Sequence, residues 1–208
     1  AGVMLSVELD GEEIRQRLLS IESGLTAAQV RRCEHIDRLT QAAIALAPLP
    51  LYVDDQAKTP LAIRASIRRH QRLAAARGLP LRLVALDYLQ LVRLDPGVVA
   101  RTDEERIAIV SRELVELRKA FKETTFMVLA QLNREVASRK DSRPRMSDLR
   151  GSGQIEQDAD TIAMLFHPDE RERERVTMAF DKNRGLPTGY DVNLRIEQTT
   201  GRVAEETL

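Results

Sequence analysis

The feature that most restricts the fold of this chain is an alternation of short apolar runs of strand character with amphipathic helical segments. The runs predicted to be strands are Val3–Glu8, Leu51–Val53, Leu83–Tyr88 and Phe126–Leu132. The segments predicted to be helices are Asp10–Gly24, Ala27–Leu46, Thr59–Ala76 and Thr102–Phe121. Strands separated by helices predict an α/β fold, with a mostly parallel sheet and helices on both of its faces.

The remainder of the chain follows a different pattern. Residues 133–153 are polar and show no period, and Thr161–Phe166 is again predicted to be a strand. Two further predicted strands, Arg175–Phe180 and Asp191–Ile196, flank a turn rich in Gly and Pro, which favours a C-terminal antiparallel hairpin. With 208 residues, of which 43% are hydrophobic, the chain is long enough for one domain with a sizeable core.

Composition excludes several classes of function. Lys and Arg balance Asp and Glu to a formal net charge of zero, so any contact with nucleic acid must come from a local cluster of cations. Aromatic residues make up 3% and Trp is absent, which argues against binding by base stacking. Cys33, the single cysteine, supports neither an internal disulfide nor a zinc site. The sequence shows no secretory signal and no apolar run of membrane-spanning length, so we expect a cytoplasmic protein without a membrane partner.

Three of the predicted strands end in a polar side chain: Glu8 after VMLSV, Asp87 after LVAL and Gln131 after MVLA. One strand often ends this way simply because it reaches solvent, but open parallel sheets bind ligands at the carboxyl ends of their strands. One carboxylate there can hold Mg²⁺, a second can deprotonate an attacking water, and an amide can contact a transferring phosphoryl group. The set therefore points to a nucleoside triphosphatase.

Four segments, in a fixed order and spacing, carry a resemblance to a known family. They are LVALDYLQLV, VLAQLNRE, RPRMSDLRGSGQIEQDADTIAMLF and DKNRGLPTG, of which the stretch MSDLRGSGQIEQDAD is the most specific. From Leu5 onward the chain resembles the RecA-like motor domain of bacterial and phage replicative DNA helicases of the DnaB type. The resemblance implies a RecA-like P-loop NTPase core, a ring-shaped homohexamer and ATP-dependent translocation on single-stranded DNA that unwinds the duplex.

The resemblance also implies a role for each strand-end residue. Asp87 matches the acid of the family's Walker B strand, so it would bind the Mg²⁺ of the cofactor Mg-ATP. Glu8, in SVELD where the family usually has Ser-Leu-Glu-Met, would be the catalytic base for the hydrolytic water. Gln131 would contact the γ-phosphate of ATP, as a catalytic and cofactor-binding residue, and report its loss to the neighbouring loop.

Two cations in DKNRG match the family's Lys-x-Arg pair, which reaches into the ATP site of the next subunit. Lys182 and Arg184 would thus be catalytic, with Arg184 acting in trans as an arginine finger on the transferring phosphoryl group. Composition alone favours a different interpretation, because charge beside Gly185, Pro187 and Gly189 is ordinary in a solvated turn.

The segment from Arg134 to Arg150 holds a local excess of cations, which suits phosphate contacts on single-stranded DNA. In the family, the loop around Leu-Arg-x-Ser-Gly lines the pore of the ring. The predicted DNA contacts are therefore Arg134, Arg145, Arg150, Gly151 and Gly153. The family usually has Glu at the position of Gly151, so the role of this residue is open. A solvated surface loop is an equally good interpretation for three upstream cations: Arg139, Lys140 and Arg143.

The 208 residues contain no G-x-x-x-x-G-K-S/T motif, the loop that binds phosphates in such enzymes. In the family this loop, with a central strand before it, lies just upstream of the strand that carries Glu8. We therefore expect an upstream segment in the complete protein, and we expect the chain alone neither to fold well nor to hydrolyse ATP.

Two alternatives to a helicase remain, a non-catalytic RecA-like DNA-binding or assembly protein and a RecA-type recombinase. For a helicase, the family implies a primase and a helicase loader as partners.

Overall fold

The computed structural model describes residues 1–133, 136, 143–149, 151–169 and 171–206, so Arg134 and Arg150 lie outside the described part. The chain forms two compact units. The first comprises Ala1–Ile14, Leu49–Gln131 and Gly153–Asp158, and the second comprises Arg15–Pro48, Leu132–Ser152 and Ala159–Leu208. In the described residues, each unit contains one four-stranded sheet.

The sheet of the first unit is entirely parallel, which confirms the predicted α/β class. Its strands are β1 (Gly2–Ser6), β2 (Leu51–Asp54), β3 (Leu83–Asp87) and β4 (Thr125–Val128), in the order β2-β1-β3-β4. Three strands end earlier than the sequence predicts, β1 at Ser6, β3 at Asp87 and β4 at Val128. Glu8 and Gln131 consequently lie in loops just beyond the strands, where side chains have more freedom to reach a ligand.

The helices are α1 (Gly11–Ser23), α2 (Ala27–Arg31), α3 (Ile36–Leu46), α4 (Pro60–Ala76), α5 (Asp103–Ala120) and α6 (Ser152–Asp158). Of these, α4 and α5 complete the core of the first unit. Val3 pairs with Val84 and Leu5 with Leu86 across the centre of the sheet. These side chains are buried against Ile63 and Ile67 of α4 and against Ile107, Val110, Leu114 and Leu117 of α5. Burial of each large side chain contributes roughly 1.5–3 kcal/mol to the stability of the fold. The ends of the strands are therefore anchored in a well-packed core.

The predicted helix starts at Thr59 and Thr102 are confirmed. The Thr59 hydroxyl accepts a hydrogen bond from the Ala62 amide at 3.3 Å, with Pro60 as the first helical residue of α4. The Thr102 hydroxyl likewise accepts from the Glu105 amide at 3.1 Å and begins α5. The Glu105 carboxylate caps the amide of Arg101 at 2.6 Å, one residue before the position that a capping box would use.

The prediction of one helix over Ala27–Leu46 is wrong. Helix α2 ends at Arg31, and α3 begins only at Ile36. Cys33 and His35 separate them with left-handed backbone conformations, at φ of 52° and 54°. Because neither residue is Gly and no Pro stands nearby, the local sequence gives no sign of this break.

The sheet of the second unit is antiparallel. Its strands are β5 (Thr161–Phe166), β6 (Arg175–Asn183), β7 (Tyr190–Ile196) and β8 (Val203–Glu205), in chain order. The predicted hairpin is confirmed as β6 and β7, and it forms the middle of this larger sheet. In the described part of the chain, no helix has the length and apolar character that crossing a membrane requires.

Candidate active site

The ends of β1 and β3 lie side by side. Ser6, the last residue of β1, is in register with Asp87, the last residue of β3. The amide of Val7 donates to the Asp87 carbonyl at 2.7 Å, which continues the pairing one residue beyond β1. Glu8 follows directly and is exposed, while Asp87 is half-buried. Two carboxylates predicted from sequence therefore stand at the same edge of the sheet.

Gln131 comes to this edge from β4, the neighbour of β3 on its other side. Val128, the last residue of β4, is in register with Leu86. The amide of Leu129 then donates to the Leu86 carbonyl at 3.0 Å, and the Leu89 amide donates to the Leu129 carbonyl at 2.9 Å. The chain beyond β4 thus stays beside the chain beyond β3 up to the exposed residue Gln131.

The loop that carries Glu8 is fixed by side chains on both sides. The hydroxyl of Ser6, which is 0% exposed, donates to the Leu9 carbonyl at 2.7 Å and accepts from the Leu9 amide at 3.1 Å. The Asp55 carboxylate accepts from the Gly11 amide at 2.7 Å, where α1 begins. Residues 7–10 are therefore held between two anchors. Neither Ser6 nor Asp55 is predicted from the sequence, although a buried hydroxyl two residues before a strand-end acid is a signal that could be sought.

The loop after β3 is fixed by Gln90, another residue that is not predicted from the sequence. Its side-chain oxygen accepts from the Gln131 amide at 3.0 Å, and its Nε2 donates to the Gln131 carbonyl at 3.2 Å. Arg106 of α5 donates in turn to the Gln90 carbonyl at 2.9 Å and to the Val92 carbonyl at 2.7 Å. The peptide bond between Asp87 and Tyr88 in this loop is cis.

The donor set at this edge fits a nucleotide-bound Mg²⁺ better than a metal ion held by protein alone. Among the described residues, no group of three or more His, Cys, Asp and Glu side chains is placed to enclose a metal. Mg²⁺ typically uses one or two protein carboxylates together with water and substrate phosphates. Asp87, at the end of the central strand β3, is the residue that would hold such an ion.

A second polar cluster lies where β2 ends, but its groups are directed into the protein. Asp54, Ser66 and His70 are at most 6% exposed. The Ser66 hydroxyl donates to the Asp54 carboxylate, which also accepts from Arg69 Nη2 at 2.5 Å. His70 Nδ1 lies 2.9 Å from the Ser66 carbonyl oxygen, and since that oxygen can only accept, Nδ1 carries the proton. The cluster ties β2 to α4 and serves the fold.

Burial and hydrogen bonding act oppositely on the two ionisable groups of this cluster. Burial is the largest influence on the pKa of Asp54 and raises it, but hydrogen bonds from Ser66 and the Gln56 amide and the charge of Arg69 outweigh burial. The pKa of Asp54 is therefore lowered. For His70, burial lowers the pKa because it disfavours the charged imidazolium. The hydrogen bond to the Ser66 carbonyl offsets this effect only in part.

Lys182 and Arg184 belong to the second unit. Lys182 lies in β6 opposite Ile162 and is half-buried. Arg184 directly follows β6, and its side chain is 64% exposed. Its guanidinium pairs with Asp160 at 2.9 Å, and its amide donates to the Asp160 carbonyl at 2.8 Å. An exposed pair of this kind contributes at most about 1 kcal/mol, so it can open when a stronger anionic partner is offered.

The predicted DNA-binding residues are described only in part, because Arg134 and Arg150 lie outside the described residues. Arg145 is exposed, and its amide donates to the Asp148 carboxylate at 2.7 Å. Gly153 lies in α6, a short helix that the sequence pattern does not predict. Gly151 has φ of +79°, a left-handed conformation that costs other residues roughly 1–2 kcal/mol and that Gly adopts freely.

Arg143 has a structural role. Its guanidinium donates to both carboxylate oxygens of Asp191, at 2.6 and 3.0 Å, and lies 3.4 Å from an oxygen of Asp181. It also lies over the ring of Phe166 at 5.8 Å from the centroid. The hydrogen bonds from Arg143 to Asp191 raise the pKa of its guanidinium. Arg143 therefore ties the start of the 143–149 segment to the antiparallel sheet.

Comparison with known proteins adds independent support for the family. The sequence model of the DnaB-like helicase C terminal domain matches residues 1–205. The chain is 38% identical over 179 residues to the replicative DNA helicase DnaB of Mycobacterium intracellulare, covering 84% of this chain and 30% of that protein. It is 32% identical over 220 residues to the same-named protein of Mycoplasma pneumoniae, covering 98% of this chain and 45% of that protein. The chain thus spans less than half the length of these curated relatives.

Solved structures agree. A structure described as an ATPase domain superimposes with a TM-score of 0.85 at 26% identity, covering 100% of this chain and 75% of that one. A DnaB-like replicative helicase, solved in a study of its interactions with primase, gives a TM-score of 0.84 at 27% identity and covers 98% of this chain and 51% of that one. Family match, sequence identity and fold all agree, and the chain belongs to the DnaB-like helicase C-terminal domain family.

Proposed function

We propose that this chain is the motor domain of an ATP-dependent replicative DNA helicase, which assembles as a hexameric ring and translocates on single-stranded DNA. One observation carries the proposal: the ends of β1, β3 and β4 bring Glu8, Asp87 and Gln131 to the same edge of one parallel sheet. An edge with two carboxylates and an amide matches the chemistry of phosphoryl transfer.

Each residue has a distinct role in this proposal. Asp87 would hold Mg²⁺ together with the phosphates of ATP, and a bound ion would supply positive charge to stabilise the transferring phosphoryl group. Glu8 accepts a proton from the attacking water, and the anchors at Ser6 and Asp55 hold its loop in place. Gln131 donates from its side-chain amide to the γ-phosphate. These roles also require a phosphate-binding loop, and the 208 residues contain no G-x-x-x-x-G-K-S/T motif.

A path from the nucleotide to DNA follows the chain beyond Gln131. Leu132 pairs with Leu149, and the amide of Asn133 donates to the Asp148 carbonyl at 2.7 Å. The segment that precedes Arg150 and Gly151 is therefore attached to the residues that follow Gln131. Loss of the γ-phosphate would shift Gln131, and the shift would move the loop that we propose to contact DNA phosphates.

Assembly completes the proposed site. Lys182 and Arg184 of one subunit would reach the ATP of the next, where Arg184 exchanges its pairing with Asp160 for the γ-phosphate. One similar structure is that of a DnaB-like replicative helicase studied for its interactions with primase, which supports a primase as a partner of the complete protein. A helicase loader and a cytoplasmic location belong to the same proposal.

The test is ATP hydrolysis by the complete gene product in the presence of single-stranded DNA. We expect Asp87→Asn to lower kcat on the order of 10²-fold or more, because the variant removes the charge that holds Mg²⁺. Asp37→Asn, at an exposed position in α3, is the matched control and should hydrolyse ATP like the wild type. A wild-type protein that binds DNA but does not hydrolyse ATP would support the non-catalytic alternative.

A further inference from the structure

Gln90 is a buried polar residue in the first unit, and the proposed chemistry does not yet use it. It is 6% exposed, and it lies in the single turn of 3-10 helix, Leu89–Leu91, that follows β3. A buried primary amide is costly unless its oxygen and its N–H groups find partners. Gln90 meets part of this need at a single residue, Gln131, through the two hydrogen bonds described above.

The two hydrogen bonds substitute for a strand partner. Backbone pairing between the segments after β3 and β4 ends at Leu89 and Leu129, where the chain turns into the 3-10 helix. Gln131 lies two residues further, and its amide and carbonyl bond to the side chain of Gln90. A glutamine side chain carries the same donor and acceptor as a peptide unit, so Gln90 extends the pairing where the backbone turns away.

Gln90 is itself held by α5. Arg106, whose side chain is 23% exposed, donates to the carbonyls of Gln90 and Val92 and pairs with Asp103 at 2.6 Å. A planar guanidinium that bonds to two carbonyls restrains the position and the rotation of the turn between them. Gln131 is therefore connected through Gln90 to the first turn of α5.

We propose that Gln90 is the positioning residue for Gln131, which holds the Gln131 backbone where its side chain reaches the γ-phosphate of ATP. This inference rests on the proposed function. Without Gln90, Gln131 would lose two backbone restraints at the end of a loop, and its side chain would occupy many positions relative to the phosphate. Because misplacement by about 1 Å can cost on the order of 10²-fold in rate, the effect should fall on kcat more than on KM.

The experiment compares variants of the complete gene product by steady-state ATP hydrolysis with single-stranded DNA present. Gln90→Met keeps the length of the side chain and removes both hydrogen bonds. We expect kcat to fall roughly 10- to 100-fold while KM for ATP changes less than about threefold. Gln198→Met, at an exposed position, is the matched control and should keep the wild-type kcat.

A second measurement separates positioning from general damage to the fold. Hydrogen exchange should show the Gln131 amide exchanging faster in Gln90→Met, while amides in the core of β3 keep their protection. Gln90→Glu serves if Gln90→Met does not fold, because Glu can still accept from the Gln131 amide but cannot donate to its carbonyl. We expect an intermediate kcat for that variant.

Two further variants distinguish failure of this inference from failure of the proposed function. If Asp87→Asn and Gln131→Ala lose activity but Gln90→Met and Gln90→Glu keep the wild-type kcat, Gln90 is not a positioning residue. If Gln131→Ala hydrolyses ATP at the wild-type rate, the proposed role of Gln131 is wrong, and the inference about Gln90 is overturned with it. Wild-type activity in Asp87→Asn would contradict the proposed function itself.

Discussion

At the scale of single residues, this chain buries polar groups where they hold a loop or a helix in place. Ser6 and Asp55 fix the loop of Glu8, and Gln90 fixes the backbone of Gln131. A buried group that loses its partner costs roughly 1–3 kcal/mol, so each of these contacts is sensitive to substitution. The proposed catalytic side chains Glu8 and Gln131 are exposed, whereas Ser6 and Gln90 are buried and Asp55 is half-buried.

The buried cluster of Asp54, Ser66 and His70 predicts a dependence of stability on pH. Since burial lowers the pKa of His70 below its ordinary value of 6.5, the unfolded chain binds a proton more readily than the folded chain. The free energy of unfolding should therefore fall as pH drops below that value, by at most about 1.4 kcal/mol for each pH unit. The pKa of Asp54 is lowered, so its contribution is present above pH 3.8 and is lost only at lower pH.

This effect can be measured as the midpoint of thermal unfolding at about pH 7.5 and about pH 5.5, on either side of the ordinary His pKa. His70→Asn keeps a donor near the position of Nδ1. We expect its midpoint of thermal unfolding to drop less between about pH 7.5 and about pH 5.5 than that of the wild type. His167→Gln, at an exposed position, should show the same drop in this midpoint as the wild type. An unchanged fall in His70→Asn would show that another group is responsible.

The sequence predicts those site residues that belong to a local pattern, and it does not predict those whose partners are distant in the chain. Asp87 and Glu8 could be found because an acid at the end of an apolar strand is a local pattern. Gln90 could not, because its partner is 41 residues away and its function depends on how two loops meet. Arg143 belongs to the same class, since only the fold brings Asp181 and Asp191 to it.

At the scale of elements, α5 connects the core to the candidate site. Its inner face carries four residues of the core, and its first turn carries Arg106, which holds the loop of Gln90. Acidic residues fill the first turn of α5 and basic residues its last turn. These charges interact favourably with the helix dipole and so stabilise the helix. The stability of the first turn of α5 should therefore affect the site.

Thr102→Ala tests how much the N-cap stabilises this first turn. Removal of the hydroxyl that accepts from the Glu105 amide should destabilise the first turn by about 1 kcal/mol, which corresponds to about fivefold faster exchange of its amide protons. Hydrogen exchange with mass spectrometry measures the change on peptides from the start of α5. Thr188→Ala, in the exposed turn between β6 and β7, is the control. Equal exchange in Thr102→Ala and wild type would show that the cap contributes nothing.

The sequence predicts α4 and α5 best, because each has a clear N-cap and an apolar face. Helices α4 and α5 have strong caps and apolar faces, and both begin where the sequence indicates. The sequence does not predict the break between α2 and α3, because Cys33 and His35 adopt left-handed conformations although neither residue is Gly. Helix α6 and strand β8 are too short to give a measurable period.

At the scale of the whole molecule, the proposal requires two subunits for one complete site. Asp87 and Gln131 lie in the first unit, and Lys182 and Arg184 lie in the second. If the arginine acts in trans, each ATP is hydrolysed between the Asp87 edge of one subunit and the Arg184 of its neighbour. Hydrolysis would then depend on assembly as well as on the fold of each chain.

Complementation between two inactive variants tests this account most directly. Asp87→Asn and Arg184→Ala should each lose ATP hydrolysis on the order of 10²-fold or more in the assembled complete protein. Mixed rings contain some interfaces with Asp87 from one subunit and Arg184 from the next, so mixing the two variants should restore part of the wild-type rate. A mixture that forms rings but stays as inactive as its parents, or an Arg184→Ala protein with the wild-type rate, would contradict the account.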